Sequence, residues 1–229
     1  MPGAYVLADL GGPLWEPLYP TLLDDAGLVT VVPPGHAATA LLPGTPVNLL
    51  GPLGQGFRLV PTGHPLDRLL LVAESTYLPY LRPLYQTASS VALVVEATTR
   101  AQLPSPSSFP PALELILATR DGSAGYLGPL EVEGAAPPGL ERAGARLREL
   151  LTWAERVCLA CDPGRYPAFA QIVQETRLLP GSDFAQAFVR VPMPCGVGAC
   201  DVCRITTRRG EQRACVEGPV FDLLDFLAT

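Results

Sequence analysis

Apolar residues in this chain come in short runs, and their rhythm changes near residue 58. Upstream, residues 4–10, 28–32 and 46–50 are apolar or β-branched, parted by Gly11-Gly12-Pro13, Pro33-Pro34-Gly35 and Pro43-Gly44. Short strands punctuated by turn residues predict a small antiparallel β domain, barrel or sandwich, over residues 1–57. It closes in Gly51-Pro52-Leu53-Gly54-Gln55-Gly56-Phe57, whose glycines suit either a ligand cradle or a tight connection. Downstream the runs are continuous rather than alternating: 68–73, 91–97, 113–119 and 156–160. Strands apolar at every position are buried on both faces, as in a parallel sheet. Helical periodicity lies between them, over 77–89 (interrupted by Pro79 and Pro83), 140–152 with a wet arginine face, and 167–177.

Strand–helix alternation predicts a doubly wound α/β domain over residues 58–180, with ligands beyond the carboxyl ends of its strands. The loops after Ala73, Thr119 and Ala160 are therefore the expected binding edge. The first reads Glu74-Ser75-Thr76-Tyr77, without the glycines that let backbone approach a pyrophosphate, and Glu74 repels phosphate. The second, Arg120-Asp121-Gly122-Ser123-Ala124-Gly125, is a turn sequence suited to ribose contacts. At the third, Cys158 and Cys161 lie three apart and point to opposite faces of a strand. Cys158 is expected to fill core and Cys161 to reach the ligand edge.

Residues 181–229 form a third unit, built on Cys195, Cys200, Cys203 and Cys215. The spacing C-x4-C-x2-C-x11-C is that of plant-type [2Fe–2S] ligands. Three ligands come from one loop, where Gly196 and Gly198 free the backbone and let amide N–H groups approach sulfur. Between Cys203 and Cys215, a β-rich run broken at Gly210 reads as a hairpin returning the fourth thiol. Zinc is the alternative, though its sites usually present two C-x2-C knuckles at longer separation. Structural disulfides are a further alternative, with nothing to suggest export.

The 229 residues are 48% hydrophobic and 17% charged, enough apolar material for real cores. No apolar run is long enough to span a bilayer, and Met1-Pro2-Gly3-Ala4-Tyr5 lacks the basic start of a signal peptide, so a cytoplasmic location is expected. A net charge of −6 without a basic cluster beyond Arg208-Arg209 makes nucleic acid a poor partner. The chain has no lysine, which excludes lysine chemistry, and its two histidines, His36 and His64, sit in Pro/Gly-rich stretches as solvated loop residues. Hydrolytic triads and histidine-rich metal sites are correspondingly disfavoured.

Taken together, these stretches resemble the electron-transfer subunits of NAD-linked dihydroorotate dehydrogenase, a branch of the ferredoxin–NADP reductase-like flavoproteins. Pro2-Gly3-Ala4-Tyr5-Val6 resembles the family's PG-x-[FY]-V strand, and residues 49–57 its LGPLGNGF loop. Residues 119–128 resemble its TDDGS-x-G-x-x-G segment, and Cys161-Asp162-Pro163 stands where the reductases carry Cys-Gly-Pro beside nicotinamide. Residues 193–200 and 215–221 are similar to the cluster motif and its continuation. The resemblance implies hydride transfer from NADH to FAD, then single electrons through the cluster to an FMN-bearing dehydrogenase subunit. It also implies a flavin near Gly51, Pro52, Leu53 and Gly54, with Tyr19 or Trp15 stacking on the ring and Cys161 near nicotinamide.

The departures are specific. The chain starts at the PG-x-[FY]-V strand, so a shortened flavin barrel and an obligate complex are expected. The family's Arg-Pro-x-Ser flavin segment aligns with Trp15-Glu16-Pro17-Leu18-Tyr19, replacing the phosphate-pairing arginine by an acid. The GGG-x-G nucleotide loop has become Ala73-Glu74-Ser75-Thr76-Tyr77. The expectation is thus an α+β multidomain chain: shortened antiparallel β-barrel, reductase-like α/β domain and C-terminal [2Fe–2S] module. Its expected role is electron relay to or from a flavin-containing dehydrogenase, with FAD an open question and NAD(H) disfavoured. The alternative is a regulatory or redox-sensing subunit with a structural cluster.

Overall fold

The computed structural model describes residues 1–24, 27–32, 35–59, 65–131 and 141–227. His64 lies outside them, so its expected role as a loop histidine is not addressed. Five strands make up the N-terminal part: β1 (Tyr5–Asp9), β2 (Glu16–Leu18), β3 (Pro20–Asp24), β4 (Gly27–Thr30) and β5 (Asn48–Leu53). β1 is the centre of a three-stranded antiparallel sheet between β2 and β5, while β3 and β4 pair as a separate hairpin. The expected barrel is therefore two small sheets. Val6, Ala8 and Leu18 form a core of their own there, and the opposite face of β1, through Tyr5 and Leu7, joins the main core.

The α/β part contains β6 (Arg68–Glu74), β7 (Ser90–Ala97), β8 (Glu114–Thr119) and β9 (Tyr126–Leu127), then α1 (Ala143–Trp153), β10 (Arg156–Ala160), α2 (Tyr166–Thr176) and β11 (Ala185–Phe188). A hairpin of β12 (Arg204–Thr207) and β13 (Gly210–Arg213) follows, then β14 (Val220–Asp222). One seven-stranded sheet runs β14-β11-β10-β6-β7-β8-β9, parallel throughout except for β14. Strand order reverses between β6 and β10, which makes that junction the topological switch point. The continuous apolar runs behave as their pattern requires: five consecutive residues of β6 and seven of β7 are buried. α1 and α2 each bury one face and keep the charged one in water.

One expectation changes here. Residues 75–84, where an α-helix was expected over 77–89, form a 3-10 helix containing Pro79 and Pro83. Proline has no N–H for the i−4 bond and crowds the preceding turn, which favours the tighter, shorter winding. Within the unit expected from residue 181, β11 and β14 belong to the large sheet. The cysteine-bearing segment is an excursion between these two strands. Val189 N–H donates to the Pro219 carbonyl at 2.8 Å and closes its neck.

Candidate metal centre and the crevices beside it

The four clustered cysteines arrive from two directions, as the spacing predicts. Cys195, Cys200 and Cys203 lie on one loop, and the β12–β13 hairpin, in register from Arg204–Arg213 to Thr207–Gly210, returns the chain to Cys215. The thiols form two pairs. Cys195 and Cys200 sulfurs are 3.3 Å apart, and the Cys203 thiol is a close neighbour of the Cys215 thiol. Among the described residues no three His, Cys, Asp or Glu side chains converge as ligands of one ion do.

Loop conformation brings donors to sulfur. Gly196, Gly198 and Asp201 have φ of +64°, +75° and +57°, a region glycine enters freely. That path turns the N–H groups of Val197, Cys200 and Ala199 toward the Cys195 sulfur, while Gly198 N–H donates to Cys215 Sγ at 3.2 Å. Val197 N–H is the largest influence in drawing the Cys195 thiol down to about 6. Burial pushes the Cys215 thiol up to about 12. Cys203 and Cys215 are buried and Cys200 is exposed, so the centre has one wet edge.

The β domain holds this loop from behind. A Cβ on Gly196 would lie 2.6 Å from Leu7 Cδ1 and 3.2 Å from Leu53 Cδ1. Gly54, with φ +73°, leaves only 2.6 Å between such a Cβ and the Gly218 carbonyl oxygen. Val220 N–H donates to the Gln55 carbonyl at 3.3 Å, and the Tyr5 hydroxyl, buried, donates to the Cys215 carbonyl at 3.1 Å. The glycines of the 51–56 loop thus permit close approach of protein atoms. Gly51 packs on Val6, Pro52 lines a groove with Tyr5 and Leu28, and Leu53 and Gly54 back the cysteine segment.

A cavity of about 620 Å³ opens between the β domain and this loop, lined by Trp15, Glu16, Tyr19, His36, Tyr77, Arg190, Met193 and Pro194 among others. Of the expected flavin contacts, Trp15 and Tyr19 line it. Tyr19 packs edge-on to Tyr80 and Phe188, 5.3 and 4.9 Å away, and its buried hydroxyl has no hydrogen-bond partner among the described residues. Burial holds that hydroxyl far above its ordinary pKa. Glu16, standing where the family's arginine is expected, pairs with His36 Nε2 at 3.0 Å, while His36 Nδ1 accepts from Ala38 N–H. His36 is therefore a fixed, largely buried residue and not the solvated loop histidine expected. Aromatic walls and an unmatched hydroxyl fit the ring of a flavin; among the described residues Arg190 is the one arginine lining the cavity.

The switch point carries a second crevice, lined by Glu74, Ser75, Thr76, Glu96, Ala97, Thr98, Gln102 and Arg120. All three loops expected as the binding edge meet here. Arg120 donates to Glu96 at 2.6 Å and to Glu74 at 2.7 Å. Arg165, just after β10, ion-pairs with Glu74 and Glu131 and reaches both oxygens of Glu96 at 2.9 Å. Burial works against its charge, but hydrogen bonds to Glu131 and Glu96 outweigh that and raise its pKa. Cys161 follows the end of β10, and the charges of Arg165, Glu74, Glu131 and Glu96 act on its thiol. It is 2% exposed beneath the Asp162 turn, with burial raising its pKa, and Cys158 fills core as expected. Glu96 and Arg165 were not singled out in the sequence. The signal for Glu96 was present: a lone carboxylate in the buried run 91–97 requires a cation.

The fold and the loop both have counterparts. Residues 192–226 match the iron–sulfur cluster binding domain of dihydroorotate dehydrogenase B. Over 98% of its length the chain superposes, with a TM-score of 0.67 and 20% identity, on 78% of an NADH-dependent reduced ferredoxin–NADP oxidoreductase studied for flavin-based electron bifurcation. An Amycolatopsis cytochrome P450 reductase gives a TM-score of 0.56 at 18% identity over 81% of this chain and 60% of that one. These likenesses establish the ferredoxin-reductase-like fold. In sequence, the chain is 27% identical over 225 residues to a probable dihydroorotate dehydrogenase B (NAD(+)) electron transfer subunit of Thermoplasma acidophilum, covering 97% of this chain and 78% of that one. The corresponding subunit of Geobacillus thermodenitrificans is 31% identical over 199 residues, which cover 80% of this chain and 67% of its own length. With the cysteine loop, the sheet order and this identity in agreement, the chain belongs to the electron-transfer subunits of dihydroorotate dehydrogenase B.

Proposed function

We propose that this chain relays single electrons to or from a flavin-bearing dehydrogenase subunit, a dihydroorotate dehydrogenase by family. The relay runs through a [2Fe–2S] cluster held by Cys195, Cys200, Cys203 and Cys215. The observation that carries the reading is the pairing of the thiols, Cys195 with Cys200 and Cys203 with Cys215. Each iron of a two-iron cluster takes two thiolates, whereas a single zinc needs all four sulfurs around one point. When bound, such a cluster supplies one-electron transfer. The chain's own residues fix its ligands: Gly198 and the residues after Cys195 direct N–H groups at sulfur, and Tyr5 ties the Cys215 backbone to β1. Leu7, Leu53 and Gly54 close the inner side against water, leaving the Cys200 edge toward a partner. The cluster module is residues 189–219, set between strands of the α/β domain, with residues 1–57 as the flavin-domain counterpart.

The cavity beside Met193 and Pro194 supports a second element, a flavin ring held between Trp15, Tyr19 and Tyr77, within reach of the cluster loop. The Glu16–His36 pair puts a carboxylate where an FAD pyrophosphate would need a cation. Visible spectroscopy of the anaerobically purified chain tests both elements, with iron, sulfide, zinc and extracted flavin measured on one sample. Two irons and two sulfides per chain, bleaching with dithionite and lost electron transfer in Cys200→Ser, support the relay. Zinc in place of iron, or unchanged transfer in that variant, overturns it. Cluster reduction without transfer to any dehydrogenase subunit favours a sensing or structural role.

A further inference from the structure

A nicotinamide dinucleotide bound at a switch point needs three things from the protein. It needs backbone that its pyrophosphate can approach, free N–H donors at a helix N-terminus, and no uncompensated negative charge nearby. The crevice after β6, β7, β8 and β10 lacks the first and the third. A glutamate follows Ala73 where close backbone approach calls for glycine, and the segment it opens is a short proline-containing 3-10 helix rather than an α-helix. The Glu74 carboxylate sits among the donors a phosphate would use: Arg120, Arg165 and the backbone N–H of Asp162 at 3.2 Å. Glu96, 1% exposed, takes a second Arg120 nitrogen, Arg165 and Leu130 N–H at 2.8 Å. The next turn is also satisfied within itself, since Gly164 N–H donates to Asp162 Oδ1 at 2.8 Å.

Three carboxylates against two guanidiniums leave the cluster with one net negative charge. A pyrophosphate would have to displace Glu74 from both arginines and then share the site with it. We infer that Glu74, Glu96, Glu131, Arg120 and Arg165 form an internal ionic plug, with Glu74 occupying the place of the dinucleotide phosphates. The plug excludes NAD(H) and NADP(H) from this chain, although the names of its relatives carry NAD(+). Reduction of the cluster by hydride from a nicotinamide then has no site here. The same contacts join the ends of β6, β7, β8 and β10 into one rigid edge. The relay reading enters only through the cluster's use as an internal colour indicator.

The test is an anaerobic titration of the cluster-loaded full chain with NADH and NADPH, without a partner subunit. Nucleotide binding is followed by saturation-transfer NMR and reduction by the visible spectrum, with dithionite as the positive control. No saturable binding up to about 1 mM, about the millimolar limit of weak association, and no bleaching are expected. Saturable binding below that, or bleaching by NADH alone, overturns the inference. Failure of dithionite to bleach the sample would instead count against the cluster reading and leave the binding arm intact. Glu74→Gly removes the plug's anion and restores close backbone approach, so it should bind NADH at least about tenfold more tightly than wild type, a difference worth about 1.4 kcal/mol. Glu74→Gln keeps the side-chain volume and should show a smaller gain in the same direction. No gain in either variant, with melting temperatures near wild type, refutes the assignment of exclusion to the plug.

Discussion

Replacement of Arg165 by methionine examines how much the switch-point network contributes to stability. The guanidinium is 12% exposed at its side chain, and it is the partner of Glu131, of Glu74 and of both oxygens of Glu96. Removing one member of a buried ion pair usually costs about 3–5 kcal/mol, because its partners stay buried without a counter-charge. Here Arg120 still covers one oxygen each of Glu96 and Glu74, and Leu130 N–H covers the other Glu96 oxygen. The loss should therefore fall at the lower end, about 3 kcal/mol. At about 2–4 °C per kcal/mol for a chain of this size, Arg165→Met should melt about 6–12 °C below wild type. Arg165→Lys keeps the charge but not the fork and should fall between the two. Circular-dichroism melting of the cluster-loaded chain measures this, with Arg204→Ala as comparison. Arg204 pairs with Glu211 at 2.9 Å with both side chains more than half exposed, so its loss should cost less than about 1 kcal/mol. An Arg165→Met protein melting no lower than Arg204→Ala would show that the network does not hold the strand ends together.

Two further outcomes concern the cysteine loop. Tyr5→Phe deletes the buried donor to the Cys215 carbonyl and should cost about 1 kcal/mol, seen as roughly fivefold faster iron loss to a chelator and an altered visible circular-dichroism spectrum. An unchanged rate and spectrum would remove Tyr5 from the support of the centre. In the metal-free chain, Cys195 should be the first thiol alkylated by iodoacetamide. Its reactive thiolate is favoured by the N–H groups of Val197, Cys200 and Ala199, so labelling should rise with pH through about 6. Mass spectrometry across a pH series reads this directly; labelling that begins only above pH 8 contradicts the loop geometry.

Much of this protein is determined locally and is legible in the sequence. The thiol spacing marked the cysteine loop and its returning hairpin, because Gly196, Gly198 and Gly210 act on their own backbone. The continuous apolar runs marked β6, β7, β8 and β10, because burial on both faces demands it at every position. Tertiary structure alone decided what depends on long-range approach. β11 and β14 joined the large sheet through pairings roughly 28 to 36 residues apart in sequence, which put both strands of the C-terminal stretch into that sheet. Gly54 proved to sit against the Gly218 carbonyl, a partner that glycine itself cannot signal. Glu74 looked in sequence like a missing phosphate site; that it is an occupied one depended on Arg120 and Arg165, 46 and 91 residues away. Charge pairing in a folded crevice follows from distance in space, which local pattern does not encode.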